Sequence, residues 1–360
     1  MAVKTLNRSP ARIVQVDQKS TSPIVAKKIM SIVVPHSSRR SRYHGVAKDV
    51  YFPTGMAIIV GAIEQAFPKT EQIIFDTNIY GMSEEILSKF VLENYGKDGP
   101  DLVMFGAIST NYNVVKELVA LVQKCLPSSK IICGGTIATL HPEIMLRKLG
   151  CSYAVIEEGE VTIVDLLSNL NTPKNVPGIA FIDKNGKYIR NPPRPRVKTI
   201  GEEVLHGYKY FDIEAYVHSY QRSCGFRGMH VSASRGCVYA CKFCFRGLTA
   251  QVEYRDAASL ADEIMWLKEK FNLEAFSLSD ELPWADKKWM KEFADCLLER
   301  KLNLLWQTSG RVNQFAPKDA ELLKHMFKAG LRRISFGLES ASDTMIEKMG
   351  KSKGGPERAE

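Results

Sequence analysis

Cys237, Cys241 and Cys244 form a C-x3-C-x2-C run inside the stretch SASRGCVYACKFCFRG. The run directly follows the short apolar segment at residues 230–233. Three closely spaced thiolates on one loop are a soft, pre-gathered ligand set for zinc or an iron–sulfur cluster. They are one ligand short of a closed tetrahedral zinc site or a fully ligated four-iron cluster. The missing ligand leaves one metal corner open, which is where chemistry happens. Two blander readings stay open on spacing alone. Cys224 or His230 could supply a fourth ligand and close a structural zinc site. Alternatively, the thiols could be small buried hydrophobes, since free cysteine packs well in cores.

The surrounding elements decide how such a loop is held. From residue 28 to about 170, short unbroken apolar runs at 32–34, 73–75, 102–107, 131–133 and 153–156 alternate with helical patterns at 55–67, 84–95, 114–126, 142–149 and 161–170. That alternation predicts a doubly wound α/β unit with a parallel sheet covered on both faces, which binds ligands beyond the carboxyl ends of its strands. A hairpin follows at 179–182 and 188–190, then the stiff linker NPPRPR at 191–196. A second alternation begins near residue 229. Its strands are expected at 230–233, 275–278, 304–307 and 332–336, and its helices at 258–270, 287–300, 318–329 and 343–349. This is a partial (βα) barrel of four units, with sites expected at the carboxyl ends of its strands. The domain reading is a basic extension at 1–27, a doubly wound domain at 28–175, a hairpin and proline-rich linker at 176–226, and the βα core at 227–360.

Composition narrows the class. With 45% hydrophobic and 25% charged residues in 360, the chain can bury two cores. No apolar run approaches the roughly 18 residues of a membrane span, so no membrane partner is expected. Eight cysteines, three of them in a metal-type cluster, do not read as a disulfide framework, and a reducing cytoplasm is the expected location. The formal net charge of +9 lies wholly in residues 1–48, which hold ten Lys or Arg against Asp17 alone. The remainder balances 39 basic against 39 acidic residues. The excess is therefore a basic leader plus the loop SSRRSRYHGVAK at 37–48, not a nucleic-acid groove through the body of the protein.

The cysteine spacing, with the aromatic Phe243 just before the last cysteine, resembles the radical S-adenosylmethionine superfamily. There three cysteines hold a [4Fe–4S] cluster, and S-adenosylmethionine chelates the fourth iron through its amino and carboxylate groups. The resemblance places Phe243 beside the adenine. Strand ends supply the other candidates. Asp280 and Glu281 suit the ammonium of S-adenosylmethionine, and Arg311 in WQTSGRVN suits its carboxylate. Ser335 and Glu339 lie in SFGLES, which is similar to the family's Gly-x-Glu-Ser segment, and suit the ribose side. The family builds its partial barrel from six βα units. Four are counted here before the polar tail KSKGGPERAE, so the chain reads as a fragment of a longer protein.

The first domain resembles the cobalamin-binding Rossmann-like fold, whose signature is Asp-x-His-x-x-Gly, a serine and a glycine pair. Here these are Asp76, Asn78 and Gly81, then Ser109, then Gly134 and Gly135. Asn78 stands where the cobalt-ligating histidine would be. An amide is a poor cobalt ligand, so the corrinoid is expected to lack a protein imidazole below the metal. Glu158-Gly159-Glu160 with Thr162, and Val176-Pro177-Gly178-Ile179, also resemble family segments and read as architecture.

Together the resemblances cover residues 28–350 and imply a cobalamin-dependent radical S-adenosylmethionine enzyme. Its expected cofactors are cobalamin, a [4Fe–4S] cluster and S-adenosylmethionine. In that family a 5′-deoxyadenosyl radical takes hydrogen from an unreactive carbon, and methylcobalamin most often then donates a methyl group. The expected partners are a small-molecule substrate and a reducing donor such as a flavodoxin or ferredoxin. Related members close rings, as in anaerobic tetrapyrrole cyclisation. Methylthiotransferases carry three more cluster cysteines in the first domain, whereas Cys125, Cys133 and Cys151 are scattered here. A non-catalytic corrinoid or metal-binding protein is the rival from another class.

Overall fold

The computed structural model describes residues 26–35, 50–197, 200–244 and 251–351. The basic leader up to residue 25, the loop at 37–48 and the tail at 352–360 lie outside the described residues. The chain runs through β1 (Lys28–Val33), α1 (Thr54–Ala66), β2 (Glu71–Asp76), the single turn α2 (Thr77–Tyr80), α3 (Glu84–Tyr95) and β3 (Leu102–Gly106). It continues through α4 (Tyr112–Cys125), β4 (Lys130–Gly134), α5 (Gly135–Leu140), α6 (Pro142–Arg147), β5 (Tyr153–Val155), α7 (Glu160–Ser168), β6 (Ile179–Ile182) and β7 (Tyr188–Arg190). These strands form one sheet in the order β2-β1-β3-β4-β5-β6-β7, parallel through β5 and antiparallel beyond it. Strands such as β3 read LVMFG and bury nearly every residue, because helices cover both faces.

The hairpin assigned to the linker is part of this sheet. Val155 pairs with Ile179 and Ile182 with Tyr188, so β6 and β7 extend the first domain rather than leave it. A hairpin carries no crossover, so its turn residues alone did not say which edge it would join.

The second half opens with two helices the sequence reading did not assign, the short α8 (Val204–Gly207) and α9 (Ile213–Cys224). Asp212 caps α9 by accepting from the Ala215 amide, and Gly225 ends it in the left-handed region. Then come β8 (Gly228–Val231), the small antiparallel pair β9 (Ser234–Arg235) and β10 (Glu253–Tyr254), α10 (Ala257–Phe271), β11 (Ala275–Leu278), α11 (Lys287–Glu299), β12 (Leu305–Gly310), α12 (Ala320–Lys328), β13 (Leu331–Phe336) and α13 (Asp343–Lys348). The four expected units are present as a parallel sheet in the order β13-β12-β11-β8. Its helix-facing side chains, including Met229, Phe276 and Trp306, join one core with Leu260, Ile264 and Phe293 from the helices. Trp306 stacks on Phe276 at 5.8 Å between ring centroids.

The halves are bolted together by close helix contact and buried polar groups. α8 lies against α1 so tightly that a Cβ on Gly207 would sit 2.1 Å from the Ala57 carbonyl oxygen. Tyr216 of α9 donates to Asp76 at the end of β2, and Tyr210 donates to Glu64 of α1. No helix among the described residues is long and apolar enough to cross a membrane.

Candidate functional site

A cavity of about 630 Å³ opens beyond the carboxyl ends of β1, β3 and β4. The strand order reverses between β1 and β3, so this crevice is the topological switch point where doubly wound sheets bind ligands. Asn78, Gly106, Gly134 and Gly135 line it from the first domain, and Ser232, Ser234 and Arg235 from the second. The cavity therefore reaches the strand end from which the cysteine loop departs.

The cobalamin candidates separate into two sets. Gly134 and Gly135 form the wall. Gly135 has φ of +76°, and a Cβ there would lie 2.6 Å from the Ala107 carbonyl oxygen, so a side chain would break the turn between β4 and α5. Asn78 faces the cavity while its side-chain amide donates to Asp76 Oδ1 at 3.1 Å. Asp76 and Gly81 do not line it. Asp76 is buried, caps α2 by accepting from the Asn78 amide at 2.8 Å, and takes the Tyr216 hydroxyl. These residues shape the turn that presents Asn78. Ser109 also stands back from the wall. Its Oγ and the Asn111 Oδ1 nearby are buried without a hydrogen-bond partner among the described residues. Buried polar atoms are rarely left unpaired. The orphaned Asn111 Oδ1 in the lining, bare backbone at Gly106 and a switch-point crevice fit a large polar cofactor such as a corrinoid with its nucleotide arm.

In the second domain the loop after β8 carries the three thiols, and its start is fixed by Asp280. That carboxylate is buried and accepts from the Ala233 amide at 2.9 and 3.1 Å and from the Ser234 amide at 2.9 Å. Burial pushes its pKa up to about 7, against the pull of those amides and of Arg255. Asp280 thus anchors the loop's backbone, a role the sequence did not show beside the ammonium contact expected of it. Its neighbour Glu281 lies beside Cys237, with its carboxyl pushed up by partial desolvation against the pull of a hydrogen bond from the Gly236 backbone.

Arg311 lies 3.1 Å from the Cys241 sulfur and stacks over the Tyr239 ring at 3.7 Å. It reaches the cluster loop itself. Ser335 is exposed at the end of β13, in register with Ser309. Glu339 is exposed with φ of +62° and pairs with Lys351 at 2.8 Å. Lys351 also donates to the Gly337 carbonyl at 2.6 Å and lies 5.9 Å from the exposed Phe243 ring, tying the β13 end to the cysteine loop.

Burial raises the Cys237 thiol pKa, with the charges of Glu281 and Cys241 adding to it. Burial likewise raises Cys244, with Cys241 and Cys237 adding. The three sulfurs are near enough to oppose one another's ionisation, a repulsion that a cationic cluster relieves. They are not drawn round one point: among the described residues no three His, Cys, Asp or Glu side chains form a ready-made metal site. Their donor chemistry fits an iron–sulfur cluster, with Cys237, Cys241 and Cys244 as the protein ligands. Cys224 and His230 do not join the loop. Cys224 ends α9 at the opposite end of β8, with Gln307 Nε2 at 4.0 Å, and His230 Nδ1 engages Ser279 Oγ at 2.8 Å. In the first domain Cys133 and Cys151 are buried neighbours, and Cys125 lies against Ser88.

The sequence reading missed the link between the two halves of the site. Arg235, two residues before Cys237, pairs with Glu160 at 2.9 Å and Glu158 at 3.1 Å. In sequence the Glu-Gly-Glu segment reads as architecture. The signal available was an arginine adjoining the first cysteine.

A doubly wound domain that presents its ligand crevice to a thiol-bearing loop on a parallel βα sheet defines a two-domain, two-cofactor protein. Residues 43–167 match the B12 binding domain and residues 231–360 the radical SAM superfamily. An uncharacterised methyltransferase of Pyrococcus horikoshii is 25% identical over 329 residues, covering 90% of this chain and 68% of its own. An anaerobic magnesium-protoporphyrin IX monomethyl ester cyclase of Synechocystis is 26% identical over 327 residues, covering 89% and 62%. A cytidylyl-2-hydroxyethylphosphonate methyltransferase of Streptomyces wedmorensis is 26% identical over 304 residues, covering 75% and 55%. Among solved structures, the cobalamin-dependent S-adenosylmethionine radical enzyme OxsB superposes with a TM-score of 0.69 at 19% identity, over 90% of this chain and 45% of its own. The radical S-adenosylmethionine methyltransferase TsrM from Kitasatospora setae superposes with a TM-score of 0.68 at 16% identity, over 92% and 62%. The chain thus spans roughly half to two-thirds of these relatives. It belongs to the cobalamin-dependent radical S-adenosylmethionine enzymes, whose cofactors are cobalamin, a [4Fe–4S] cluster and S-adenosylmethionine.

Proposed function

We propose that this chain is the cofactor-binding part of an enzyme that methylates an unactivated carbon of a small molecule. The observation that carries the reading is the single cavity running from Gly134 and Gly135 to Ser232, Ser234 and Arg235, since both cofactor-binding halves open onto it. When bound, the cofactors supply a carbon-centred radical and a transferable methyl group. The chain's own residues do the positioning. Cys237, Cys241 and Cys244 hold the cluster. Arg311, stacked on Tyr239, keeps a positive charge against Cys241. Asp280 and Glu281 are the carboxylates for the ammonium of S-adenosylmethionine, with Ser335, Glu339 and Phe243 on its ribose and adenine side. Asn78, Gly134 and Gly135 face the corrinoid, with Asp76, Gly81 and Ser109 behind them. The apolar cavity wall, including Ile32, Ile59 and Met104, keeps water from the reacting carbon. A reducing protein such as a flavodoxin or ferredoxin supplies electrons. Ring closure without methyl transfer is the second reading, favoured by the likeness to the Synechocystis cyclase.

The test is an anaerobic incubation of the reconstituted chain with dithionite as one-electron donor to the cluster, reduced cobalamin and methyl-labelled S-adenosylmethionine. Label on cobalamin together with 5′-deoxyadenosine supports methylation. 5′-Deoxyadenosine without label transfer supports ring closure. Failure of a folded chain to form either product contradicts both.

A further inference from the structure

The face of the second sheet away from its helices carries a polar row. Register places His230, Ser277, Gln307 and Arg333 side by side across β8, β11, β12 and β13. Alternation along each strand sends their neighbours Val231, Phe276, Trp306 and Ile334 to the helix side. A barrel interior that merely packs is filled by branched apolar side chains, and a polar row there is costly unless every group is paired. The middle of this row is paired. Gln307 Nε2 donates to Ser277 Oγ at 2.7 Å, and Ser277 Oγ shares a hydrogen bond with the Tyr220 hydroxyl at 2.9 Å.

The two ends are not. His230 uses Nδ1 on Ser279, while its Nε2 is buried without a partner among the described residues. Tyr51, which lines the inter-domain cavity, packs over the His230 ring at 4.2 Å. At the other end, the exposed Arg333 guanidinium makes no hydrogen bond or ion pair among the described residues. Its neighbour Arg332 faces elsewhere, donating to the Phe327 carbonyl at 2.8 Å and stacking on the Phe327 ring at 4.1 Å. The register slips between Trp306, which pairs with Leu331, and Gln307, which pairs with Arg333, so Arg332 is the extra residue of the bulge.

We propose that this face binds a small anionic substrate, with Arg333 taking a carboxylate or phosphate and His230 Nε2 taking an uncharged polar group. The proposal rests on the enzymatic reading above and deepens it, because the face adjoins the cavity through Tyr51. Burial drives the His230 pKa down to about 4, so the ring is neutral and Arg333 is the cation that selects charge. Guanidinium pairs with either oxyanion, so geometry alone does not separate carboxylate from phosphate.

The experiment uses the full chain with arginine side chains labelled for nuclear magnetic resonance. Inorganic phosphate and acetate are titrated separately at constant ionic strength, and the Arg333 signal is assigned by its loss in Arg333→Gln. The expected result is a saturable shift of Arg333 with an apparent affinity roughly tenfold tighter than any response of Arg332, as one charged hydrogen bond would give. The shift should persist in Arg332→Gln. The anion giving the tighter response names the substrate's charged group. Equal responses at Arg332 and Arg333, no saturable response to either anion, or abolition by S-adenosylmethionine, whose own carboxylate would then be the ligand, each overturn the proposal. A chain that retains no cobalamin or iron yet shows the Arg333 response would sink the enzymatic reading while leaving the anion site standing.

Discussion

Asp280→Asn tests how the cysteine loop is anchored. The Asp280 carboxyl ionises near 3.8 in an unfolded chain and near 7 when folded, chiefly because burial disfavours the charge. Between those values the folded state binds more protons than the unfolded state. The stabilisation is fully present below about pH 4, falls as pH rises, and is gone above about pH 7. A shift of about three units at 1.36 kcal/mol each sets a ceiling of roughly 4 kcal/mol, and water penetration on local opening will lower it. Asparagine carries no proton to lose, and its Oδ1 can keep the Ala233 and Ser234 amides that Asp280 Oδ1 accepts at 2.9 Å. Asp280→Asn should therefore gain stability relative to the parent as pH rises from 4.5 to 7.5. Urea unfolding midpoints across that range measure the gap. A gap that stays constant, or turns toward the parent at high pH, would refute the reasoning and make Asp280 an ordinary carboxylate held by its amides. Asp280→Ala leaves two buried amides unpaired at about 1–3 kcal/mol each and should lower iron loading as well.

Three further outcomes follow from the geometry. Arg235→Gln strands Glu160 and Glu158, both well covered, and should cost about 3–5 kcal/mol in thermal unfolding; Glu160→Gln in the same chain should restore part of the loss. Gly135→Ala should lower the urea midpoint and weaken cobalamin retention, because its Cβ would meet Ala107 at 2.6 Å, whereas Gly134→Ala, whose Cβ would have no heavy atom nearer than 3.8 Å, should be mild in stability. Asn78 turns its side-chain amide to Asp76, so bound cobalamin reduced by one electron should show no nitrogen splitting from the protein in electron paramagnetic resonance; such a splitting would place a histidine on cobalt.

Much of this was legible because the signals are local. α3 was bounded in the sequence as it is in the structure, with Ser83 accepting from the Ile86 amide and Gly96 closing the helix. The cysteine spacing and the β4 glycine pair pointed to the two cofactor regions without any tertiary information. What was not legible was weakly patterned helices and contacts between residues far apart in the chain. α5 has six residues, two of them threonine and one isoleucine, and after a glycine pair it reads as a turn. α9 was bracketed by Asp212 and Gly225, but its buried face is made of Tyr216, Val217 and Tyr220, a thin apolar stripe in a polar helix. Asp280 reads in sequence as a carboxylate at a strand end, and only the fold shows the two loop amides it also accepts from. Arg235 and Glu160 lie 75 residues apart, and only the packing of the two domains makes them a pair.

The central claim is that one chain carries both cofactors, the cluster on three loop thiols and cobalamin in the first domain. The direct measurement is iron, sulfide and cobalamin content after anaerobic reconstitution, in the parent, in Cys224→Ala and in the triple variant Cys237→Ala, Cys241→Ala, Cys244→Ala. The parent and Cys224→Ala should hold roughly four irons, four sulfides and one cobalamin per chain. The triple variant should lose iron and sulfide while keeping cobalamin. Normal iron in the triple variant, loss of the cluster in Cys224→Ala, or a folded parent that retains no cobalamin would contradict the account.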